Sequence, residues 1–228
     1  MTKTIVIVGA SRGIGKELVL KLACNSENQI YALSRNETAM ADFDDLSNVT
    51  SCSFDLEGSV NDQLSEILED LKQVDVLVNN AGKLVNKPLL QLDEDDLLSS
   101  YQVNVIGVIQ TVQAIVPKMV ESGGHIINIS SIGGFQGSVK FPGLTAYSTS
   151  KAALCSFTEL FAEEYKESKV KMNCLCLGAV QTEMLEDAFP GYEAPLSAKE
   201  MANYIADFSL SGHQYFNGKI IPVSLSTP

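Results

Sequence analysis

Basic side chains are in short supply: 16 Lys and Arg stand against 28 Asp and Glu, a formal charge of −12 over 228 residues. A chain of that sign does not track a phosphate backbone or an anionic bilayer. Neither nucleic acid nor membrane is expected as a partner, and the acidity reads as a solubilising surface. The five cysteines (Cys24, Cys52, Cys155, Cys174, Cys176) are odd in number, form no C-x-x-C and keep no regular spacing. They suggest neither a disulfide framework nor a metal site, and a reducing, cytoplasmic compartment fits best. Long apolar runs are also missing. Ile5–Val8 is too brief for a signal-peptide core, so no export is implied. Val103–Val120 is interrupted by Asn104, Gln110, Gln113, Pro117 and Lys118, which makes it an amphipathic helix and not a membrane span. No Gly/Ser linker, repeat or low-complexity tract divides the chain, so residues 1–228 are expected to form a single domain.

What is present is an alternation of short Val- and Ile-rich runs with longer segments of helical period. Seven strands are expected, near Thr4–Val8, Gln29–Ser34, Val49–Asp55, Val74–Asn79, His125–Ser130, Lys169–Leu177 and Lys219–Val223. Their hydrophobicity is continuous, as in strands covered on both faces. Helices are expected near Gly13–Cys24, Thr38–Asp45, Ser59–Leu71, Asp93–Met119 (broken near Asn104–Gly107), Tyr147–Ser168 and Ser197–Ser209. This is an α/β pattern, a doubly wound, Rossmann-like parallel sheet with helices on both faces. The acidic run Asp93–Asp96 suits the positive end of a helix, with Asp93 as its cap.

The first strand leads into Gly9-Ala10-Ser11-Arg12-Gly13-Ile14-Gly15 and then a helix. That context suits a dinucleotide-binding turn: glycines permit a tight turn, close backbone approach to a pyrophosphate and close helix–strand packing, and the helix N-terminus presents N–H donors. The spacing is G-x-x-x-G-x-G and not the commoner G-x-G-x-x-G.

Further blocks follow in order: Asp55 at a strand end, Asn79-Asn80-Ala81-Gly82, a lone Asn104, Ile129-Ser130-Ser131, Tyr147-Ser148-Thr149-Ser150-Lys151, and Gly178 with Thr182. Over nearly its whole length the sequence resembles the short-chain dehydrogenase/reductase family, including its 3-oxoacyl-acyl-carrier-protein reductases and carbonyl reductases. The resemblance implies a nicotinamide cofactor and hydride exchange between a carbonyl and an alcohol. It places Asp55, with Leu56, near the adenine, and Asn80, Ala81 and Gly82 along the adenosine ribose. Gly178, Val180 and Thr182 fall near the nicotinamide. Ser34 and Arg35 end the second strand, where an acid would accept the ribose hydroxyls of NAD and an arginine would accommodate the phosphate of NADP. With Arg12 expected beside Arg35, the two guanidiniums can clamp one phosphate, so NADP(H) is the expected cofactor.

Reduction of a carbonyl requires a proton for the developing alkoxide and a group that polarises the oxygen. A tyrosine with an ordinary pKa near 10 needs a nearby cation to serve. Three Y-x-x-x-K pairs occur, at Tyr147/Lys151, Tyr165/Lys169 and Tyr215/Lys219. Only the first opens a long helix after a strand ending in Ser130-Ser131. The resemblance makes Tyr147 the general acid or base and gives Lys151 two tasks, lowering the tyrosine's pKa and holding the nicotinamide ribose. Ser131, in preference to Ser130, orients the substrate oxygen, and Asn104 holds a water that relays protons past Lys151. His125 and His213 lie apart from any triad or ligand spacing and read as structural. Cys174 and Cys176 point to one strand face and read as a buried pair of free thiols.

Several features depart from the family pattern. The interval from Ser131 to Tyr147 is long and holds the glycine-rich segment Gly133–Thr145, expected to reshape the pocket rim. Leu177 replaces a proline and is expected to loosen the backbone that receives nicotinamide. The tail Val223–Pro228 lacks the usual Asp-Gly-Gly, leaving dimer and tetramer both open for the expected homo-oligomer. The segment from Thr182 to Pro195 reads as a short lid with Glu183, Glu186, Asp187 and Glu193, which repels an acidic carrier protein unless Lys83, Lys87 and Lys140 form a compensating patch. The expected substrate is therefore a small neutral aldehyde or ketone. The alternatives are a 3-oxoacyl thioester, or a non-catalytic module that binds NADPH and reports to a partner.

Overall fold

The computed structural model describes residues 2–225. Seven parallel strands form its main sheet: β1 (Thr4–Val8), β2 (Gln29–Ser34), β3 (Val49–Ser53), β4 (Val76–Asn79), β5 (Gly124–Ser131), β6 (Val170–Leu177) and, after two short strands, β9 (Ile220–Val223). The order is β3-β2-β1-β4-β5-β6-β9. The first step off β1 goes one way to β2 and, after β3, the chain returns to β1's other side at β4. That reversal opens a crevice at the C-terminal ends of β1 and β4.

Alternation along each strand feeds two cores. Ile5 and Ile7 of β1 face one, with Leu18, Val19 and Leu22 of α1 (Gly13–Ala23) and Met201 and Ile205 of α7 (Ala198–Ser211). Val6 and Val8 face the other, with Val60 and Leu64 of α2 (Val60–Ile67), Val112 and Ile115 of α4 (Gly107–Ile115) and Phe161 of α5 (Thr145–Glu164). The sheet is thus Rossmann-like and doubly wound, with helices on both faces. Among the described residues no helix is long and apolar enough to cross a membrane.

Most element positions follow the sequence reading, with informative exceptions. Thr38–Asp45 forms only a 3₁₀ turn, Thr38–Phe43, anchored by buried Met40 and Phe43. The expected helix Ser59–Leu71 is regular only over Val60–Ile67. The expected break in the long helix is a change of pitch: α3 (Glu94–Tyr101) continues through a π turn, Gln102–Ile106, into α4 and a 3₁₀ end at Val116–Lys118. Asp93 caps α3, accepting a hydrogen bond from the Asp96 N–H at 2.8 Å in a reciprocal capping box. Two short strands absent from the sequence reading, β7 (Val180–Gln181) and β8 (Leu196–Ser197), pair in parallel and flank α6 (Glu183–Ala188).

Candidate active site

The glycine turn lies in the crevice between β1 and β4. Gly9 has φ +88°, and a Cβ there would stand 2.6 Å from the Ala81 backbone, so the two loops meet with no room for a side chain. Gly15 is tighter still: its Cβ would lie 1.9 Å from the Gly9 carbonyl oxygen. The Asn80 amide donates to that same carbonyl at 2.8 Å and braces the turn from β4. Ser34 at the end of β2 donates to the Ser11 hydroxyl at 2.8 Å and braces it from the other side. At the start of α1, Arg12 occupies the cap position without a side-chain cap hydrogen bond, whereas α3 and α7 both begin with a capping box. The first N–H groups of α1 are thus left to an external acceptor. A turn with no room for a Cβ at Gly9 or Gly15, leading into a helix without a side-chain cap, fits the pyrophosphate of a dinucleotide.

Arg12 and Arg35 face separate carboxylates: Arg12 lies 3.7 Å from Asp187 on α6 and Arg35 lies 3.6 Å from Glu57. Both guanidiniums are mostly exposed, so these pairs hold them weakly. Asp55 lies just past β3, which stops at Ser53; its N–H donates to the Gln63 side chain at 2.8 Å and its carboxylate accepts from the Glu57 N–H. Leu56 is buried against the Gly107 backbone.

Ser131 ends β5 and Tyr147 and Lys151 lie one turn apart at the start of α5. The Ser131 hydroxyl contacts the Tyr147 phenol and accepts the Gly133 N–H at 3.2 Å. Tyr147 keeps some surface exposure; burial pushes its phenol up to about 12, against a downward pull from the Ser131 hydrogen bond. Lys151 is 3% exposed, and burial lowers its ammonium to about 8. Its Nζ donates to the Ile129 carbonyl at 2.8 Å and lies 5.8 Å from the Tyr147 ring centroid. Burial is the largest cause of the tyrosine's shift, and Lys151 is not among its causes. Ser130 turns away from the site, donating to the Lys151 carbonyl at 2.9 Å.

Asn104 lies buried in the π turn, and its amide is committed to protein. Its Oδ1 accepts the Lys83 N–H at 2.8 Å, while its Nδ2 donates to the Lys83 carbonyl and the Ser150 hydroxyl, both at 2.9 Å. A Cβ on Gly82 would lie 3.4 Å from the Lys151 Nζ and 3.5 Å from the Asn104 Oδ1, which puts all three residues around one point. Near the opposite wall, Gly178 packs against Ser224 and donates its N–H to Val223 at 2.9 Å. Leu177 pairs with both Ser131 and Val223, so strand pairing runs through the position where proline is replaced. Val180 is buried in β7, and Thr182 caps α6 by accepting the Leu185 N–H at 3.3 Å.

The rim holds what the sequence did not reveal. The long loop closes on Lys140, whose ammonium donates to the Gly133 and Phe135 carbonyls and the Ser138 hydroxyl at 2.9, 2.7 and 2.9 Å. Lys83 pairs with Glu57, and Lys87 with Asp93 and Asp96. The three lysines are each taken up by a separate local partner, and no compensating basic patch forms. Asn86 reaches the lid, donating to the Ala188 carbonyl at 2.9 Å, and the neighbouring Lys87 N–H donates to Gly143 at 3.0 Å. These residues lie far apart in sequence and in no recognisable motif, so only the folded chain brings them together.

The family model for short chain dehydrogenases matches residues 3–193. Carbonyl reductase family member 4 of Xenopus laevis is 32% identical, the match covering 82% of this chain and 79% of that one. The 3-oxoacyl-[acyl-carrier-protein] reductase FabG of Aquifex aeolicus is 31% identical over 97% of this chain and 96% of its own. Among solved structures, ElxO with NADP bound superposes with a TM-score of 0.85 at 26% identity, covering 98% of each chain.

Proposed function

The chain belongs to the short-chain dehydrogenase/reductase family, and from that premise we propose that it is an NADPH-dependent reductase of a small aldehyde or ketone, reversible as an alcohol dehydrogenase. Membership makes it an oxidoreductase that uses a nicotinamide cofactor on a CH–OH/C=O pair. The observation that carries the proposal is the Tyr147 phenol against Ser131 with Lys151 one turn away.

When bound, the coenzyme supplies a hydride to the carbonyl carbon. The Ser131 hydroxyl orients the carbonyl oxygen beside Tyr147, and Tyr147 gives that oxygen its proton. Lys151, charged at neutral pH, stabilises the phenolate left behind and holds the nicotinamide ribose. Asn104, Ser150 and the Lys83 backbone form a polar path from Lys151 outward. Because the Asn104 amide is already committed, its side chain positions this path, and a relaying water would rest on backbone groups of the π turn. Gly9, Ser11, Gly13, Ile14 and Gly15 would receive the pyrophosphate, Asp55 and Leu56 the adenine, and Asn80, Ala81 and Gly82 its ribose. Gly178, Val180 and Thr182 would receive the nicotinamide.

NADP is favoured over NAD by an uncharged Ser34 where NAD needs a carboxylate, and by Arg12 and Arg35, whose exposed ion pairs are easily exchanged for a phosphate. The NADP-bound neighbour supports the same choice. A 3-oxoacyl thioester is the second reading, supported by the FabG relative. The exposed acids Glu183, Glu186, Asp187 and Glu193 of the lid weigh against an acidic carrier. A purely regulatory module is disfavoured because it has no use for an ammonium held at a desolvation cost beside a phenol.

We also place the protein in the cytoplasm as a homo-oligomer. All five cysteines are free, and Leu89, Leu90, Leu98 and Ile106 expose apolar surface along one stretch of chain. The test is the initial rate of NADPH oxidation over small aldehydes, diketones, quinones and an acetoacetyl thioester. Tyr147→Phe should lower turnover by a factor on the order of a hundred or more while NADPH affinity stays nearly unchanged. Equal loss of both would remove Tyr147 from the chemistry.

A further inference from the structure

One turn beyond Lys151 on α5, Cys155 meets Cys174 and Cys176 of β6. The Cys155 Sγ lies 3.5 Å from that of Cys176 and 3.9 Å from that of Cys174, and all three sulfurs fall within 4.8 Å of one another. We propose that this trio is a buried three-thiolate site for a soft divalent cation of the zinc, cadmium and mercury class.

Geometry and chemistry select that class. A metal–sulfur bond of about 2.3 Å sets sulfurs about 3.8 Å apart in a tetrahedral arrangement and about 4.0 Å in a trigonal one. The two spacings from Cys155, 3.5 and 3.9 Å, need adjust by only a few tenths of an ångström to meet either, and the Cys174–Cys176 pair, within 4.8 Å, closes by at most about 1 Å. Sulfur ligands alone, with no carboxylate among them, select thiophilic ions over calcium or magnesium. The scaffold is rigid: Cys174 and Cys176 are two apart on a strand paired on both sides, so their thiols share a face, and α5 sets the buried Cys155 against them.

Charge balance favours a divalent ion. Three thiolates and a dication leave one net negative charge, and Lys151 lies one turn before Cys155 on α5. Each thiol gives its proton to solvent as the ion binds. Access is short, because Phe135 and Ile220, both only partly buried, pack over the trio.

The experiment titrates the reduced full chain with cadmium, in a phosphine reductant, and follows thiolate-to-metal charge-transfer absorbance, the ¹¹³Cd resonance and thermal stability. Expected are one ion per chain, a resonance in the three-sulfur range and a melting temperature that rises with free cadmium. Cys176→Ala should weaken binding by a factor on the order of a hundred, and Cys24→Ala and Cys52→Ala should leave it unchanged. No saturable uptake by the folded wild-type chain, a one- or two-sulfur resonance, or binding that follows Cys24 or Cys52 would each overturn the site. The decisive spectra come from the wild type, so an unstable variant does not blunt the test. None of the readouts is catalytic, so the site stands or falls apart from the reductase reading.

Discussion

Lys151 sets the pH behaviour of the site. Its ammonium, held at about 8 by burial, is charged at neutral pH and discharges through mildly alkaline conditions. Since kcat/KM reports groups of the free enzyme, carbonyl reduction should decline as pH rises past about 8. A kcat/KM profile flat to about pH 10, the ordinary lysine range, would contradict this. The same shift affects stability with the opposite sign. Between about 8 and 10.5 the unfolded chain binds the proton more tightly than the folded one, so this residue's contribution to stability rises with pH across that window.

His125 offers a second residue-scale prediction. Its Nδ1 donates to the Ser209 carbonyl and its Nε2 accepts from the Asn173 amide, both at 3.0 Å. Asn173 is held in that orientation by Phe216 and Lys219 backbone groups, so only the neutral ring satisfies both neighbours. Burial accordingly lowers His125 to about 4. A depressed histidine stabilises the fold above the unfolded pKa of 6.5 and loses that contribution as pH falls toward about 4. Urea unfolding of the wild type should weaken by about 2 kcal/mol between about pH 7 and pH 5 from this group alone. In His125→Gln that share of the pH dependence should vanish. The sequence marked His125 as structural from its lack of a partner motif, but its titration could not be read there, because both its partners lie dozens of residues away.

At the scale of elements, the lid helix α6 lies on the phosphate turn. Asp187 pairs with Arg12, and the Glu183 carboxylate would stand 3.3 Å from a Cβ on Gly13. Two acids therefore sit where a dinucleotide would bring its own negative charge. Neutralising both, as Glu183→Gln with Asp187→Asn, should tighten NADPH by about two- to fivefold, the scale of exposed ion pairs. Fluorescence titration of bound NADPH at low and high salt checks this, and a gain that persisted undiminished in high salt would point away from electrostatics. That the lid exists and is acidic was legible in the sequence. Which charges meet was not, because the pairing spans about 175 positions between Arg12 and Asp187. The π turn is similar. Asn104 and Gly107 marked an interruption, but a wider turn that aims Asn104 at Lys83 depends on neighbours from β4 and α5.

At the scale of the molecule, the exposed apolar stretch Leu89–Ile106 bears on assembly. Leu90 is 97% exposed and Leu89 65%, which is costly for a lone chain. Light scattering should give the mass of a dimer or tetramer, and Leu90→Asp with Leu98→Glu should lower it without loss of secondary structure. An unchanged mass would direct the interface elsewhere. The expected tail departure lies partly outside the described residues, since Ser226–Pro228 are not among them.

The sequence by itself determined the seven strands of the main sheet, the two-sided core and the order of the site's parts. Continuous β-branched runs can only be buried between two helical layers, and glycines are forced wherever backbone meets backbone, as at Gly9 against Ala81. It also singled out Tyr147/Lys151 from three equal spacings, because helical continuity is a local property. Only tertiary structure decided the rest: that burial raises Tyr147 while lowering Lys151, that Lys140 closes its own loop, that the three rim lysines act apart, and that Cys155 completes a trio with Cys174 and Cys176. Desolvation and contact depend on what other segments bring to a point, and no spacing along one chain encodes that distance.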